Sequence, residues 1–496
     1  MGGLDIMPSD HHENGVVAEK QNLLEAQHEG QNGKSWTPYI SGAGHWMVDT
    51  VRPTALKRSS KSQRLRRTAY LDGIRGFAAF LVYIHHHELW AHEPMAQRFQ
   101  SALGFEREYN FVCWPVVRTF FSGGHLAVAC FFIMSGYVLS TKPLQLLQNG
   151  DLLAFTDNLA SALFRRWFRL FLPIIAVTLF NIVLFHWFGI LGIFVPEMSF
   201  GKDMWKWYCE FKNYTFLYGN PQPPWLSFHP HTWTIPAEMR GSIVIYCACI
   251  ALSRCKQNMR LLCECALIYY FMYIVDGAWF SMFMTGMLLS DLDQLQIAKK
   301  LPAWYRVDED LAPTLWHSLL VIGLLIGGVP SSVSSMDYLK KNPGWKWLAY
   351  VKPQAVFDFK WFALYFAAVC IVVSVPRLRW LKGFFETRFC QYLGRISYML
   401  YLVHGPILWT VGDRVYAAVG WSRESHGLII PGWANRFPMP KTGPLGLEIS
   451  FLIPQLILLP ITFWIAEITT NSIDTPAIKF GQWLYGTTQE TEEQYP

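Results

Sequence analysis

The chain has 496 residues, 52% hydrophobic, 16% aromatic and only 16% charged, with a mean hydropathy of +0.18. Soluble domains carry about 25% charged residues, so this composition, with its long apolar runs and 22 tryptophans, excludes a string of soluble domains and points to a polytopic membrane protein. The net charge of +6 is spread as short basic clusters beside apolar runs, the pattern of topology determinants and not of nucleic-acid binding.

Residues 1 to about 66 are polar and hold no h-region, so they read as a disordered leader and not as a cleaved targeting segment. The leader closes in the basic run KRSSKSQRLRR, 57–67, which before a first span predicts a cytoplasmic N-terminus. Ten spans are predicted, at about 71–90, 120–140, 168–190, 238–252, 261–275, 278–291, 314–331, 357–375, 395–412 and 445–467. The inner connections then carry Lys142, Arg165, Arg166 and Arg169; Arg254, Lys256 and Arg260; Lys299, Lys300 and Arg306; and Arg377, Arg379, Lys382, Arg388 and Arg395. The outer loops are poorer in basic residues, and one holds the sequon Asn213-Tyr214-Thr215, which makes Asn213 a candidate glycosylation site. An even number of spans returns the acidic end TTQETEEQYP to the cytoplasm. The expected fold is an all-α polytopic membrane protein, a bundle of about ten transmembrane helices with both termini cytoplasmic. It comprises a leader 1–66, a membrane domain 67–470 and an acidic tail 471–496.

Six of the ten cysteines, Cys130, Cys247, Cys249, Cys263, Cys265 and Cys370, fall in apolar runs, where cysteine acts as a small hydrophobe. Cys247-Ala-Cys249 and Cys263-Glu-Cys265 lack the CxxC spacing of zinc sites, and no metal is expected. Cys113 and Cys209 are the one pair whose segments could share an oxidising compartment.

The first span, LDGIRGFAAFLVYIHHHE at 71–88, carries Arg75 near one end and His85, His86 and His87 at the other. Ionisable groups at membrane depth are costly and mark function by default. Eleven residues bring a helix back to the same face about 16 Å further on, so Arg75 and His86 face one interior at two depths. Gly73, Gly76 and Ala79 allow a neighbouring helix to come close. The ordinary reading is a histidine cluster at the membrane surface with Arg75 paired to Asp72; the functional one is a histidine general base with a cation on its face. FFIMSGY at 131–137 reads as close helix packing through Ser135 and Gly136. RRWFR at 165–169 is either a positive-inside anchor or, through Arg165, Arg166 and Arg169, a phosphate clamp. HTWTIPAE at 231–238 brings Glu238 to a helix start, as a dipole partner or as the carboxylate a histidine base needs. LGRISYMLYLVHGP at 393–406 places His404 beside a helix-breaking Gly-Pro, as a buried satisfied histidine or part of a site.

In this order the five motifs resemble integral-membrane acyltransferase family 3, which contains bacterial polysaccharide O-acetyltransferases and many fungal relatives. The resemblance covers about residues 68–467. Arg75 and His86 match the family's LDGLRG opening with its Arg-x10-His spacing, and HTWTIPAE departs from the usual form around Glu238. The resemblance implies an O-acyltransferase taking acyl groups, commonly acetyl, from acyl-CoA as co-substrate, with no tightly bound cofactor. It implies His86 as the leading catalytic residue with Arg75 and Glu238 in support, and Arg165, Arg166 and Arg169 near the donor. The expected partners are acyl-CoA, a hydroxylated acceptor and the bilayer of an endomembrane or the plasma membrane. The acceptor is a small molecule such as a terpenoid or polyketide, or else a cell-surface glycan or glycolipid. A multi-spanning transporter or metal carrier using His85, His86, His87, His229, His231 and His404 is the reading from another class.

Overall fold

The computed structural model describes residues 50–53, 65–92, 101–105, 109–218, 225–301, 308, 310–330, 335–442 and 448–489. The chain divides into two units, Met1–Lys57 and Arg58–Pro496. The expected disorder of the leader lies outside the described residues, and the helices named below all belong to the second unit.

Among the described residues all regular structure is helical. The main helices are α1 (Ala69–Ala91), α2 (Gly124–Gln148), α3 (Leu152–Phe188), α4 (Phe200–Tyr214), α5 (Thr234–Ala251), α6 (Gln257–Tyr269), α7 (Ala278–Ile297), α8 (Ala312–Ile326), α9 (Phe359–Ser374), α10 (Arg388–Ile407), α11 (Glu448–Thr469) and α12 (Thr475–Thr488). Each of the ten predicted segments holds a helix among its described residues. Among the described residues five stretches are long and apolar enough to cross a bilayer: Gly124–Gln148, Leu152–Phe188, Pro230–Ala251, Phe359–Arg377 and Ile449–Thr488. Helix α1 is 23 residues long, but Asp72, Arg75, the histidines and Glu88 lower its hydropathy.

Two pairs of helices run against each other through glycine. On α1 and α10, a Cβ on Gly73, Gly76 or Gly394 would collide with the backbone of Phe385, of Leu393 and Gly394, or of Asp72. On α2 and α7, a Cβ on Gly136 or Gly286 would strike the carbonyls of Phe283 or Ile133. These small residues do the packing expected of Gly73, Gly76 and the Ser-Gly pair. Around them Phe132, Ile133, Phe283, Met284 and Met287 form one buried core, and Ala79, Val82, Ile396, Met399 and Leu400 a second.

Helix α3 is longer than its predicted span. It starts where the Asp151 side chain caps the Ala154 amide at 3.0 Å and stops at Gly189, whose φ of 66° only glycine adopts at little cost. Its first half is amphipathic and is covered by α12, with Phe164 against Tyr485 at 5.4 Å and Phe168 against Phe480 at 5.8 Å. Residues 471–488 of the expected acidic tail are helical: they continue the line of α11 and pack on α3 through Phe480 and Tyr485. All ten cysteines are free, Cys113 buried and Cys209 half-buried, with no bridge between them.

Candidate active site

His86 is placed by the α1–α10 contact. With glycine on both sides the backbones approach closely, and His404 of α10 comes within 3.1 Å of His86, Nε2 to Nδ1. The third member arrives through a proline. Pro406 has no amide hydrogen for the carbonyl four residues back, and that carbonyl, Leu402 O, instead accepts the His229 ring N–H at 2.6 Å. This bond ties the short 3-10 turn Pro230–Trp233 to α10 and sets His231 Nδ1 3.1 Å from His404 Nε2. His86 and His231 stack at 3.7 Å with planes 17° apart. Straight after Pro406 the helix relaxes into a π turn, Leu408–Gly412, a distortion common at functional sites.

One nitrogen from each of these three histidines falls within 4.8 Å of the others, close enough for one metal ion. The rings are not arranged as tetrahedral ligands. Imidazoles radiating from one ion at about 2.0–2.1 Å keep their centroids roughly 5 Å apart, and the His86–His231 stack is tighter than that. The geometry is that of a hydrogen-bonded imidazole cluster.

Towards the end of the bundle that carries Arg75 lies a cavity with an empty volume of about 1250 Å³, part of it open to solvent. Arg75, Arg166, Arg169, Arg395, Glu238 and Asp474 are among its lining, with Phe131, Phe132 and Val138 supplying an apolar wall. Arg166 donates to Glu238 at 2.5 Å and to Ser242 Oγ at 2.8 Å, and Ser135 donates to the same Glu238 oxygen at 2.7 Å. Arg75 is held by Asp72 at 3.0 Å, Ser397 Oγ at 3.1 Å and Gly394 O at 3.2 Å. Thr234 and Tyr401 also line the cavity. Tyr401 donates to His231 O, so Thr234 is the donor in the 2.7 Å bond between the two hydroxyls. Tyr401 thus touches both places, lining the cavity and lying with its ring 5.9 Å from that of His404.

The sequence-derived residues divide between these two places. Arg75, Arg166, Arg169 and Glu238 meet at the cavity; His86 is not among its lining and sits deeper with His231 and His404. Arg165 belongs to neither: its Nε donates to Ser161 O at 3.0 Å, and its stem packs near Gly481 of α12. Arg169 is three residues from Arg166 and four from Arg165, and both spacings share a helix face, so the sequence pairs Arg169 with either; only the structure turns Arg166 to the cavity and Arg165 towards α12. Glu238 anchors Arg166 and does not orient His86; the groups that do are Val82 O at 3.0 Å and His404. Asn213 is exposed on the last turn of α4, not in a loop.

The Acyl_transf_3 acyltransferase domain family matches residues 68–468. The chain belongs to this family. It is 27% identical over 483 residues, 90% of each chain, to the O-acetyltransferase PaAT-1 of Phomopsis amygdali. It is 21% identical over 411 residues to acyltransferase clz18 of Cochliobolus lunatus, covering 72% of this chain and 86% of that one. No solved structure matches. This family member is an O-acyltransferase, and its apolar helices mark it as an integral membrane protein.

Proposed function

We propose that the chain transfers an acyl group, acetyl in the first instance, from acyl-CoA to a hydroxyl of a small-molecule acceptor such as a terpenoid or polyketide. The observation that carries this is the pairing of an arginine-lined cavity with an imidazole cluster, joined through Tyr401, which lines the one and touches the other. Arg75, Arg166 and Arg169 offer forked donors to phosphate oxygens, and the apolar wall suits the donor's arm. The acyl thioester passes Tyr401 and Thr234, and His86 takes the proton of the acceptor hydroxyl as its oxygen attacks the carbonyl. Glu238 holds Arg166 in place. The O-acetyltransferase name of the Phomopsis amygdali relative supports acetyl as the group moved.

In this reading all ten predicted segments cross the bilayer of an endomembrane or the plasma membrane. Both termini face the cytoplasm, the cavity opens there, and Asn213 is glycosylated on the other side. The test is acetyl-CoA-dependent ester formation in membranes, with the acceptor identified by comparing metabolites of deletion and parent strains. His86→Ala should lose at least about 100-fold in rate, the lower range for a general base. A folded His86→Ala chain with wild-type transfer would remove the catalytic assignment, and solute flux without CoA release would favour a carrier.

A further inference from the structure

An imidazole's tautomer is decided by what each nitrogen faces. His86 Nδ1 lies 3.0 Å from Val82 O and His404 Nδ1 3.2 Å from Leu400 O. A carbonyl oxygen only accepts, so both Nδ1 atoms carry hydrogen, and in the neutral rings both Nε2 atoms carry a lone pair. The His404 lone pair then meets two N–H groups, His86 Nδ1 and His231 Nδ1, each at 3.1 Å. The His86 hydrogen is shared between Val82 O and His404 Nε2, and His86 Nε2 is the nitrogen left to take a proton.

We propose that His404, backed by His231, is a positioning residue that locks His86 in the Nδ1–H tautomer and presents its Nε2 as the base. The proposal rests on His86 being the base of O-acyl transfer. In that step the acceptor O–H proton moves to His86 Nε2 while the oxygen bonds to the carbonyl carbon of an acyl thioester. The C–S bond then breaks, and the thiolate recovers the proton from Nε2 and leaves as a thiol. As charge builds on the His86 ring, its Nδ1–H bond strengthens, the service a buried carboxylate gives in hydrolase triads. His404 gives it without placing a second charge in the bundle interior, where an ionised carboxylate is expensive. Its own Nδ1–H bond to Leu400 O keeps the Nε2 lone pair turned towards His86. His231 occupies the other approach to that lone pair and, by stacking at 3.7 Å, stops the His86 ring from turning.

The experiment uses the full chain labelled with 15N-histidine in lipid. A solid-state difference spectrum, wild type minus His86→Gln, should show His86 with a protonated Nδ1 and a bare Nε2. Two variants complete it. His404→Leu keeps volume but offers no acceptor; His404→Gln puts an amide oxygen near the Nε2 position. With acetyl-CoA and the alcohol that the wild type esterifies, His404→Leu should lower kcat about 10- to 100-fold, the range seen when a group orienting a histidine is removed. Both KM values should stay within about twofold, and His404→Gln should recover most of the rate. Protonated Nε2 in wild-type His86 overturns the proposal, as does equal loss in the two His404 variants or full activity in His404→Leu. If His404→Leu does not fold, the wild-type spectrum decides alone. An active His86→Gln removes the catalytic reading itself, whereas an inactive one combined with a protonated Nε2 removes only the tautomer lock.

Discussion

At the scale of single residues, the sequence-derived site residues fall between an arginine-lined cavity and an imidazole cluster, and Glu238 belongs to the first. Its one oxygen takes bonds from Arg166 and Ser135, so it neutralises a wall arginine and never reaches the histidines. Removing one partner of a buried pair leaves an uncompensated charge, at a cost of about 3–5 kcal/mol. With side-chain exposures of 10% and 15%, Glu238→Ala should fall near the lower end of that range, about 3 kcal/mol. Thermal unfolding in detergent should therefore begin several degrees earlier, while Glu238→Gln, which still accepts from Ser135, should lose less. An unchanged melting curve for Glu238→Ala would mean that Arg166 finds another anion. Arg75 and His86 stood out because ionisable groups in an apolar helix are costly, although the residues alone left a surface histidine cluster with Arg75 paired to Asp72 as the ordinary reading. The His404–His231 contact was not legible, since it joins residues 173 positions apart through a carbonyl freed by Pro406.

At the scale of helices, the decisive elements are the glycine contacts, because they bring α10 onto α1 and so bring His404 to His86. Gly76→Val should be severely destabilising, since its added atoms meet the backbone of Gly394 and Leu393, which has nowhere to go; overpacking of this kind costs about 1–3 kcal/mol or more. Gly486 of α12 has open space around it, so Gly486→Ala should be neutral or stabilising by less than about 1 kcal/mol. Melting temperatures of the two variants side by side check both statements. The five stretches fit to cross a bilayer were legible because their apolar runs are long. Helix α4 was not: it buries Trp207, Phe211 and Tyr214 while exposing Trp205 and Tyr208, and its alternating polar residues hide it from a search for apolar runs. The front half of α3 and all of α12 escaped for the same reason. Each presents a single apolar stripe, and each needs the other to cover it.

At the scale of the whole molecule, orientation is the claim that carries most weight, because it decides which compartment supplies the donor. Asn213 gives the direct check: it is exposed at the end of α4, on the side proposed to face away from the cytoplasm. In a eukaryotic host, endoglycosidase should shorten the wild-type band and leave Asn213→Gln unchanged. A wild-type band that does not shift would leave the proposed outer side without this support, and glycosylation of a sequon engineered beside Arg254 would reverse the topology. The basic clusters are the sequence signal behind the proposed orientation; helix lengths were not legible, and α6 and α8 run only 13 and 15 residues.

Helix α1 has no proline and no π turn between Arg75 and His86, so the spacing of those two residues is a rigid length of about 16 Å. That makes the helix a ruler. Under the proposed mechanism its arginine end reads the anionic head of the donor, and its histidine end marks where the reactive carbon has to arrive. A carrier that keeps its acyl group on a long arm spans the interval; one that bears it directly on phosphate would leave the carbonyl stranded among the arginines. Selection of the donor then follows from reach as much as from charge, and it is written into the number of turns in one unbroken helix.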